Sequence, residues 1–297
     1  MKAIPQQQNK LTIREVNFNG AKIGGDLSVS FMREFGNETK NFFALEIPYI
    51  VEEGLPEILK KIWQDKNIFE RIEFANNTKC DFISIKFNIS EDELKISIKK
   101  ILNELEDIFK TAEKPLILRG ANNKNIDKEL LPQLAKYAPK RSIIAFGDDV
   151  TYEEIAVESA KRGHILVLRS PIDINLAKEL NILARDKGMK LENVLIDPDM
   201  GSLGYGLDYG YSIVEKIRCC AFDGDDLLNL PIIVFAGEEA FKAKEAKSNK
   251  FEEKWGEYAQ RAIMWEIATA APMISAGANI VVLWHPTSIA TLKEVLQ

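Results

Sequence analysis

The chain of 297 residues is 46% hydrophobic and 28% charged, enough apolar material for a full-sized core. Its net charge of −6, from 39 basic and 45 acidic side chains, argues against a protein built to coat nucleic-acid phosphates. The polar start, Met1-Lys-Ala-Ile-Pro-Gln-Gln-Gln8, does not read as a signal peptide. The apolar stretch 267–284 is broken by Pro272, Ser275, Gly277 and Asn279, and reads as helix, turn and strand rather than a membrane span. A cytoplasmic protein is the expectation.

In chain order, the first feature is a β-hairpin. Leu11-Thr-Ile-Arg-Glu-Val-Asn-Phe18 alternates, Asn19-Gly20 is a two-residue turn signal, and Ala21-Lys-Ile-Gly24 pairs back. Residues 1–40 are therefore read as an extension that plugs the bottom of a larger domain. Apolar runs follow at 43–47, 82–87, 115–119, 142–146, 164–169, 194–197, 231–236 and 279–284. Helical patterns lie between them at 55–63, 91–110, 127–137, 152–162, 174–187, 209–221 and 257–275, and a last helix at 289–297 closes the chain. Ser90, ahead of Glu91, Asp92 and Glu93, reads as the cap of the second helix. The lysine-rich stretch 241–254 reads as a solvated helix or loop. Continuous rather than alternating runs are expected of parallel strands buried on both faces. Alternating strand–helix units at this length predict an α/β fold, a (β/α)8 TIM barrel with an N-terminal β-hairpin extension. A doubly wound open sheet is disfavoured, because Pro48-Tyr49-Ile50, not a glycine loop, follows the first strand. No linker divides residues 41–297, which are read as one domain.

In a barrel the strand ends converge on one working face. They carry Glu46, Lys86, Arg119 with Asn122 and Asn123, Asp148 with Asp149, Arg169 with Ser170 and Asp173, Asp197 with Asp199, Glu238 with Glu239, and His285. Asp197 and Asp199 suit general bases or metal ligands, or simply cap the sharp turn after the strand. Gly201, Gly204 and Gly206 are spaced G-x-x-G-x-G, not as a dinucleotide loop. With Tyr205 among them, they read as backbone lying close against a large flat ligand or a partner. His285 is one of two histidines and an obvious acid, base or ligand, or else a hydrogen-bonded structural residue. His164 starts a strand, at the opposite, stability face, and is assigned no function. Cys80, Cys219 and Cys220 are too few for the four thiolates a [4Fe–4S] cluster usually takes. They read as buried small hydrophobes.

Several segments together resemble the small subunit of the corrinoid iron–sulfur protein, the acetyl-CoA decarbonylase/synthase delta subunit family. They are Ser170-Pro-Ile-Asp-Ile-Asn-Leu-Ala-Lys178, Asp197-Pro-Asp-Met-Gly-Ser-Leu-Gly-Tyr-Gly206, Tyr211-Ser-Ile-Val-Glu-Lys-Ile-Arg218, Trp265-Glu-Ile-Ala-Thr269 and His285-Pro-Thr-Ser288. The resemblance implies a barrel like that of pterin methyltransferases, paired with a larger subunit that carries the [4Fe–4S] cluster. It implies a corrinoid (cobalamin) at the subunit interface, its cobalt cycling between Co(I) and methyl-Co(III). It also implies methyl transfer in the reductive acetyl-CoA pathway, from methyltetrahydrofolate through a separate methyltransferase to acetyl-CoA synthase. On this reading the chain has no complete catalytic machinery and no metal ligands of its own. Arg169, Asp173, Asp199, Gly201, Gly204, Tyr205, Gly206 and His285 are assigned to the corrinoid face.

Two rivals stand beside it. Pterin-dependent methyltransferases of the same superfamily typically hold the pterin with an Asp after strand three, an Asn after strand four and an Asp in a strand-six Asp-Pro. Here Arg119-Gly120 and Phe146-Gly147 take the first two places, and only Asp197-Pro198 fits. A metal-dependent barrel aldolase or hydrolase would use Glu46, Asp197, Glu238 and His285, without a convincing ligand pair.

Overall fold

The computed structural model describes residues 12–27 and 40–296. Strands β1 (Val16–Phe18) and β2 (Ala21–Ile23) pair antiparallel, Val16 opposite Ile23. Asn19 and Gly20 between them both have positive φ, 50° and 93°, the left-handed pair a two-residue type I′ turn requires. Leu11 and the last part of the predicted extension, 28–39, lie outside the described residues.

The remaining elements alternate. They are β3 (Phe42–Pro48), α1 (Glu57–Trp63), α2 (Ile68–Asn76), β4 (Phe82–Lys86), α3 (Leu94–Thr111), β5 (Leu116–Arg119), α4 (Lys124–Tyr137), β6 (Ile143–Gly147), α5 (Tyr152–Arg162), β7 (Ile165–Arg169) and α6 (Ile174–Asp186). Then follow β8 (Val194–Asp197), α7 (Leu207–Phe222), β9 (Ile233–Val234), α8 (Ala236–Lys242), α9 (Lys244–Lys247), α10 (Tyr258–Ala276), β10 (Ile280–Leu283) and α11 (Pro286–Leu296). The eight strands from β3 onward are parallel, in the order β8-β7-β6-β5-β4-β3-β10-β9. A parallel bridge between Ile196 and Ile232, with the Ile196 amide donating to Pro231 at 3.0 Å, joins the two ends. The result is the predicted (β/α)8 barrel.

Two apolar layers follow from strand alternation. One face of each strand packs outward against the helices. The other fills the barrel with Phe42, Ala44, Phe82, Ile117, Ile143, Ile165, Val167, Leu195 and Val282. The hairpin belongs to this inner layer: Val16, Phe18 and Ile23 are fully buried in it, and the Phe18 ring lies 5.1 Å from that of Phe82. Phe42, Phe82 and Ile280 open their strands, so the hairpin seals the strands' N-terminal end and leaves the other end as the working face. His164 sits on the sealed side, its Nδ1 accepting from the Ser142 amide and its Nε2 2.9 Å from the Ala135 carbonyl.

Five expectations need correction. Helix α2 was not anticipated; Asn67 accepts from the Phe69 and Glu70 amides while Glu70 accepts from the Asn67 amide, a reciprocal box that starts it. Ser90 accepts only from the Asp92 amide, in a turn ahead of α3, whose own cap residue is Glu93. The strand expected over 231–236 is reduced to β9, because Ala236 already begins α8, and residues 241–254 bury Phe241 and Ala246. Cys80 is buried, but Cys219 is exposed on the outer side of α7. No helix among the described residues is long and apolar enough to cross a membrane.

Candidate functional site

The strand ends place charged side chains where a barrel enzyme would hold its ligand, and those charges bind one another. Arg119, the last residue of β5, is fully buried. Its Nη1 donates to Glu46 Oε1 at 2.5 Å, and its Nη2 donates to Glu238 Oε2. Lys86 donates to the other Glu238 oxygen at 2.9 Å. Glu46, on β3, also accepts from the Ser84 hydroxyl at 3.0 Å and from the Trp284 indole at 2.7 Å. Beside this group Arg169 ends β7 and donates from Nε to Asp197 Oδ2 at 2.6 Å. Phe146 and Phe235 separate the two guanidinium groups: Arg169 Cζ lies 3.4 Å from the Phe146 ring centre, and Arg119 Cζ lies 4.3 Å from that of Phe235.

The mouth of the barrel is thus closed by Arg119, Arg169 and Lys86 against Glu46, Glu238 and Asp197, with two aromatic rings as filling. Burial would raise the Glu238 carboxyl, but Arg119 and Lys86 outweigh it and hold the group well below the usual range. Burial pushes the Asp197 carboxyl up, and Arg169 offsets that only in part.

Off the axis lies a cleft of about 270 Å³, lined among others by Asn122, Phe146, Asp148, Arg169, Asp199 and Glu239. It is bounded by the loops after β5, β6, β7 and β8 and by α8. Three of its loops carry left-handed residues other than glycine: Asn122 at φ 63°, Ile172 at φ 50° and Asp199 at φ 57°. Asn and Asp tolerate that region, whereas the β-branched Ile172 is strained there by roughly 1–3 kcal/mol. Its amide bonds the Pro198 carbonyl at 2.8 Å, which ties the β7 loop to the β8 loop.

The glycine loop after β8 turns on itself. The Tyr205 amide bonds the Ser202 carbonyl at 2.9 Å, and a Cβ on Gly201 would lie 2.2 Å from the Tyr205 carbonyl oxygen. Gly204 and Gly206 take φ 76° and 87°, which only glycine adopts freely. The loop is pinned to α10 by Leu203 N–H donating to Thr269 at 3.3 Å; it presents Tyr205, and the first turn of α7 presents Tyr209, 54% and 63% exposed. Nearby, at the end of β10, the buried Glu266 of α10 accepts from the Trp284 amide at 2.5 Å and from the His285 amide. Burial raises Glu266 to about 7.

Comparison with known proteins gives the chain a family. A model of the CO dehydrogenase/acetyl-CoA synthase delta subunit matches residues 14–287. The chain belongs to that family. Among its relatives, the acetyl-CoA decarbonylase/synthase complex subunit delta of Archaeoglobus fulgidus is 35% identical over 198 residues, 64% of this chain and 44% of that protein. The corresponding subunit of Methanosarcina mazei is 28% identical over 293 residues, 93% of this chain and 65% of that protein. The chain therefore spans about half to two thirds of the length of these relatives. In fold it resembles solved dihydropteroate synthases. That of Xanthomonas albilineans, with 4-aminobenzoic acid, superposes with a TM-score of 0.58 at 11% identity, covering 96% of this chain and 97% of that one.

The residues that the resemblance assigned to a corrinoid face fall into separate places. Arg169 and Asp199 meet in the cleft. Asp173 is exposed and caps α6, accepting from the Asn175 and Leu176 amides. Gly201, Gly204, Tyr205 and Gly206 lie on the far side of β8, against α9 and α10, with the Tyr205 hydroxyl 3.4 Å from Glu245. His285 is 8% exposed, its Nδ1 accepts from the Thr287 amide at 3.2 Å, and burial pushes it down to about 4. Sequence reasoning did not single out Glu266, although it is the one acid among the apolar residues 262–274 of α10. Nor did it single out Phe235 as filling between the two arginines.

Proposed function

We propose that this chain is the small subunit of a corrinoid iron–sulfur methyl carrier, and that its strand-end face covers a corrinoid held against a larger partner. The observation that carries this is the closed barrel mouth. A pterin enzyme needs an open seat with unpaired acid and amide groups, because buried polar edges left without partners cost roughly 1–3 kcal/mol each. Here Arg119 and Phe146 occupy the seat, and Glu46, Glu238 and Asp197 are already matched. The same pairing removes the acids that a metal-dependent aldolase or hydrolase would use.

The residues present fit a corrinoid as a cover rather than as a source of cobalt ligands. The rim offers the exposed side chains of Tyr205 and Tyr209, the amide of Asn122 and the tight glycine loop, chemistry suited to a large flat ligand edged with amides. His285 Nδ1 is taken by the Thr287 amide, so the imidazole is turned to its own helix. Among the described residues no group of three or more His, Cys, Asp or Glu is placed to hold a metal ion. On this reading the [4Fe–4S] cluster belongs to the partner subunit, the three cysteines here being fewer than the four thiolates such a cluster usually takes. The corrinoid, when bound, supplies the cobalt centre that accepts and releases a methyl group. The chain's own residues orient it, exclude water and present docking surface for the methyltetrahydrofolate methyltransferase and for acetyl-CoA synthase.

The test is co-expression with the larger subunit. A one-to-one complex showing both corrinoid and iron–sulfur absorbance is expected. The reading is overturned if the isolated chain binds methyltetrahydrofolate and methylates free cobalamin.

A further inference from the structure

We infer that the cleft above Arg169 is a seat for a neutral primary carboxamide, whose carbonyl accepts from the guanidinium and whose amino group donates to Asp199. The inference rests on the corrinoid reading, since a corrinoid's periphery carries primary carboxamides, and it names the group recognised and the residues that recognise it.

Arg169 is a buried cation with an open edge. The Arg169 side chain is 9% exposed. Its Nε is fixed to Asp197 at 2.6 Å and its plane rests on the Phe146 ring at 3.4 Å. Neither Nη1 nor Nη2 donates to any described residue, and neither is sealed away from the cleft that Arg169 lines. A guanidinium held rigid on one side and left unpartnered on the other is preorganised for an acceptor oxygen.

Charge selects which acceptor. The cleft's two lysines are already engaged, Lys124 with Asp149 at 3.2 Å and Lys242 with Glu239 at 2.5 Å. Arg169 itself is matched by Asp197. What remains around the seat is acidic, with Asp127 and Asp199 among its lining, so an anion is repelled even though a guanidinium lies at the floor. Asp199 is tied to the same unit: its amide bonds Asp197 Oδ1 at 3.0 Å. Its Oδ1 accepts from the Met200 amide at 2.9 Å, whereas its Oδ2 accepts from no described residue. One open donor fork and one open carboxylate oxygen match the two ends of a carboxamide.

The experiment uses the full chain and three probes, followed by titration calorimetry. Dicyanocobinamide carries the corrin with its carboxamides and no phosphate; cobyrinic acid carries carboxylates in their place; nicotinamide is a carboxamide without a corrin. Dicyanocobinamide should bind at least roughly tenfold more tightly than cobyrinic acid, the scale of a lost hydrogen bond to a charged group. Arg169→Lys keeps the charge beside Asp197, so the fold persists, but loses the fork and should weaken dicyanocobinamide roughly tenfold. Asp199→Asn, at a backbone angle Asn tolerates, should erase most of the preference for amide over acid; a structural role alone would not move that ratio. Equal affinity for amide and acid, or the same ratio in Asp199→Asn, overturns the seat while leaving a corrinoid face in place. Nicotinamide binding that Arg169→Lys abolishes, with no binding of dicyanocobinamide, supports the seat and overturns the corrinoid reading. No binding of any probe at millimolar concentration overturns the seat.

Discussion

Replacing Arg119 by leucine tests whether the barrel mouth is held by its ion network. Arg119 is fully buried and joins Glu46 to Glu238. Without it, Glu238 keeps Lys86 at 2.9 Å, so Glu46 is the carboxylate left uncompensated, with only the Ser84 hydroxyl and the Trp284 indole to accept from. Removing one partner of a buried ion pair costs about 3–5 kcal/mol. Loss of the cation from the Phe235 face adds about 1 kcal/mol. In a chain of this size each kcal/mol moves the unfolding midpoint by about 2–4 °C, so a fall of roughly 10 °C or more is expected. Glu46→Gln supplies the control. Its amide still accepts from Trp284, and in E46Q/R119L no uncompensated charge is left, so the double variant should recover about 1–3 kcal/mol relative to R119L. Thermal and urea unfolding by circular dichroism read both. If R119L melts within about 2 °C of the parent, or E46Q adds its own full loss to R119L, the network is not what closes the mouth. The case against a pterin seat would fall with it.

Burial raises Glu266 from 4.5 to about 7, so the folded state holds its proton more tightly than the unfolded one. That contribution is complete below pH 4.5 and is lost as pH rises to about 7, roughly 3 kcal/mol in all; Glu266→Gln should remove this slope and gain that amount at pH 8. Identical slopes in parent and variant would refute the assignment. Gly201→Ala must move backbone, since its Cβ would lie 2.2 Å from the Tyr205 carbonyl; hydrogen exchange should show amides 202–206 unprotected, with α7 unchanged. Phe18→Ala should cost about 3–5 kcal/mol by opening the sealed end of the barrel, and a loss under about 1 kcal/mol would show that the hairpin is not part of the core.

The barrel was legible because its signal is local. Each strand is a short apolar run and each long helix has a regular stripe, so no partner needs to be known to find them. The missed helix α2 also had a local mark, Asn67 followed by Glu70, but its nine residues are too short a window for the apolar stripe of Ile68, Ile72 and Ala75 to stand out as helical. The early end of β9 had none. Phe235 and Ala236 are as apolar as the strand before them. The chain turns into α8 there because Gly237 packs against the end of β10, where a Cβ would lie 2.6 Å from the Trp284 amide. The site divides in the same way. Glu46, Arg119 and Glu238 were readable as strand-end residues, but not as one another's partners. Those pairs join positions 73 and 119 residues apart, and only barrel closure makes them neighbours. Cys219 was misread because an apolar residue type on a helix says nothing of which side it faces.

The pairing at the mouth also constrains how the face can work. A barrel enzyme keeps strand-end acids open so that its substrate completes them. Here Glu46, Glu238 and Asp197 are completed by Arg119, Lys86 and Arg169 from the same chain. Removing Arg119 alone does not recreate a seat, because the Phe146 ring still fills the axis and Arg169 still neutralises Asp197. What is left open is off the axis: the outer edge of Arg169, Asp199 and the tyrosine-bearing rim. Groups placed that way suit the edge of a broad ligand lying across the barrel, as the proposed function requires, better than a small one lowered into it. On the reading proposed above, the charged plug is a rigid floor and the rim above it supplies the specificity.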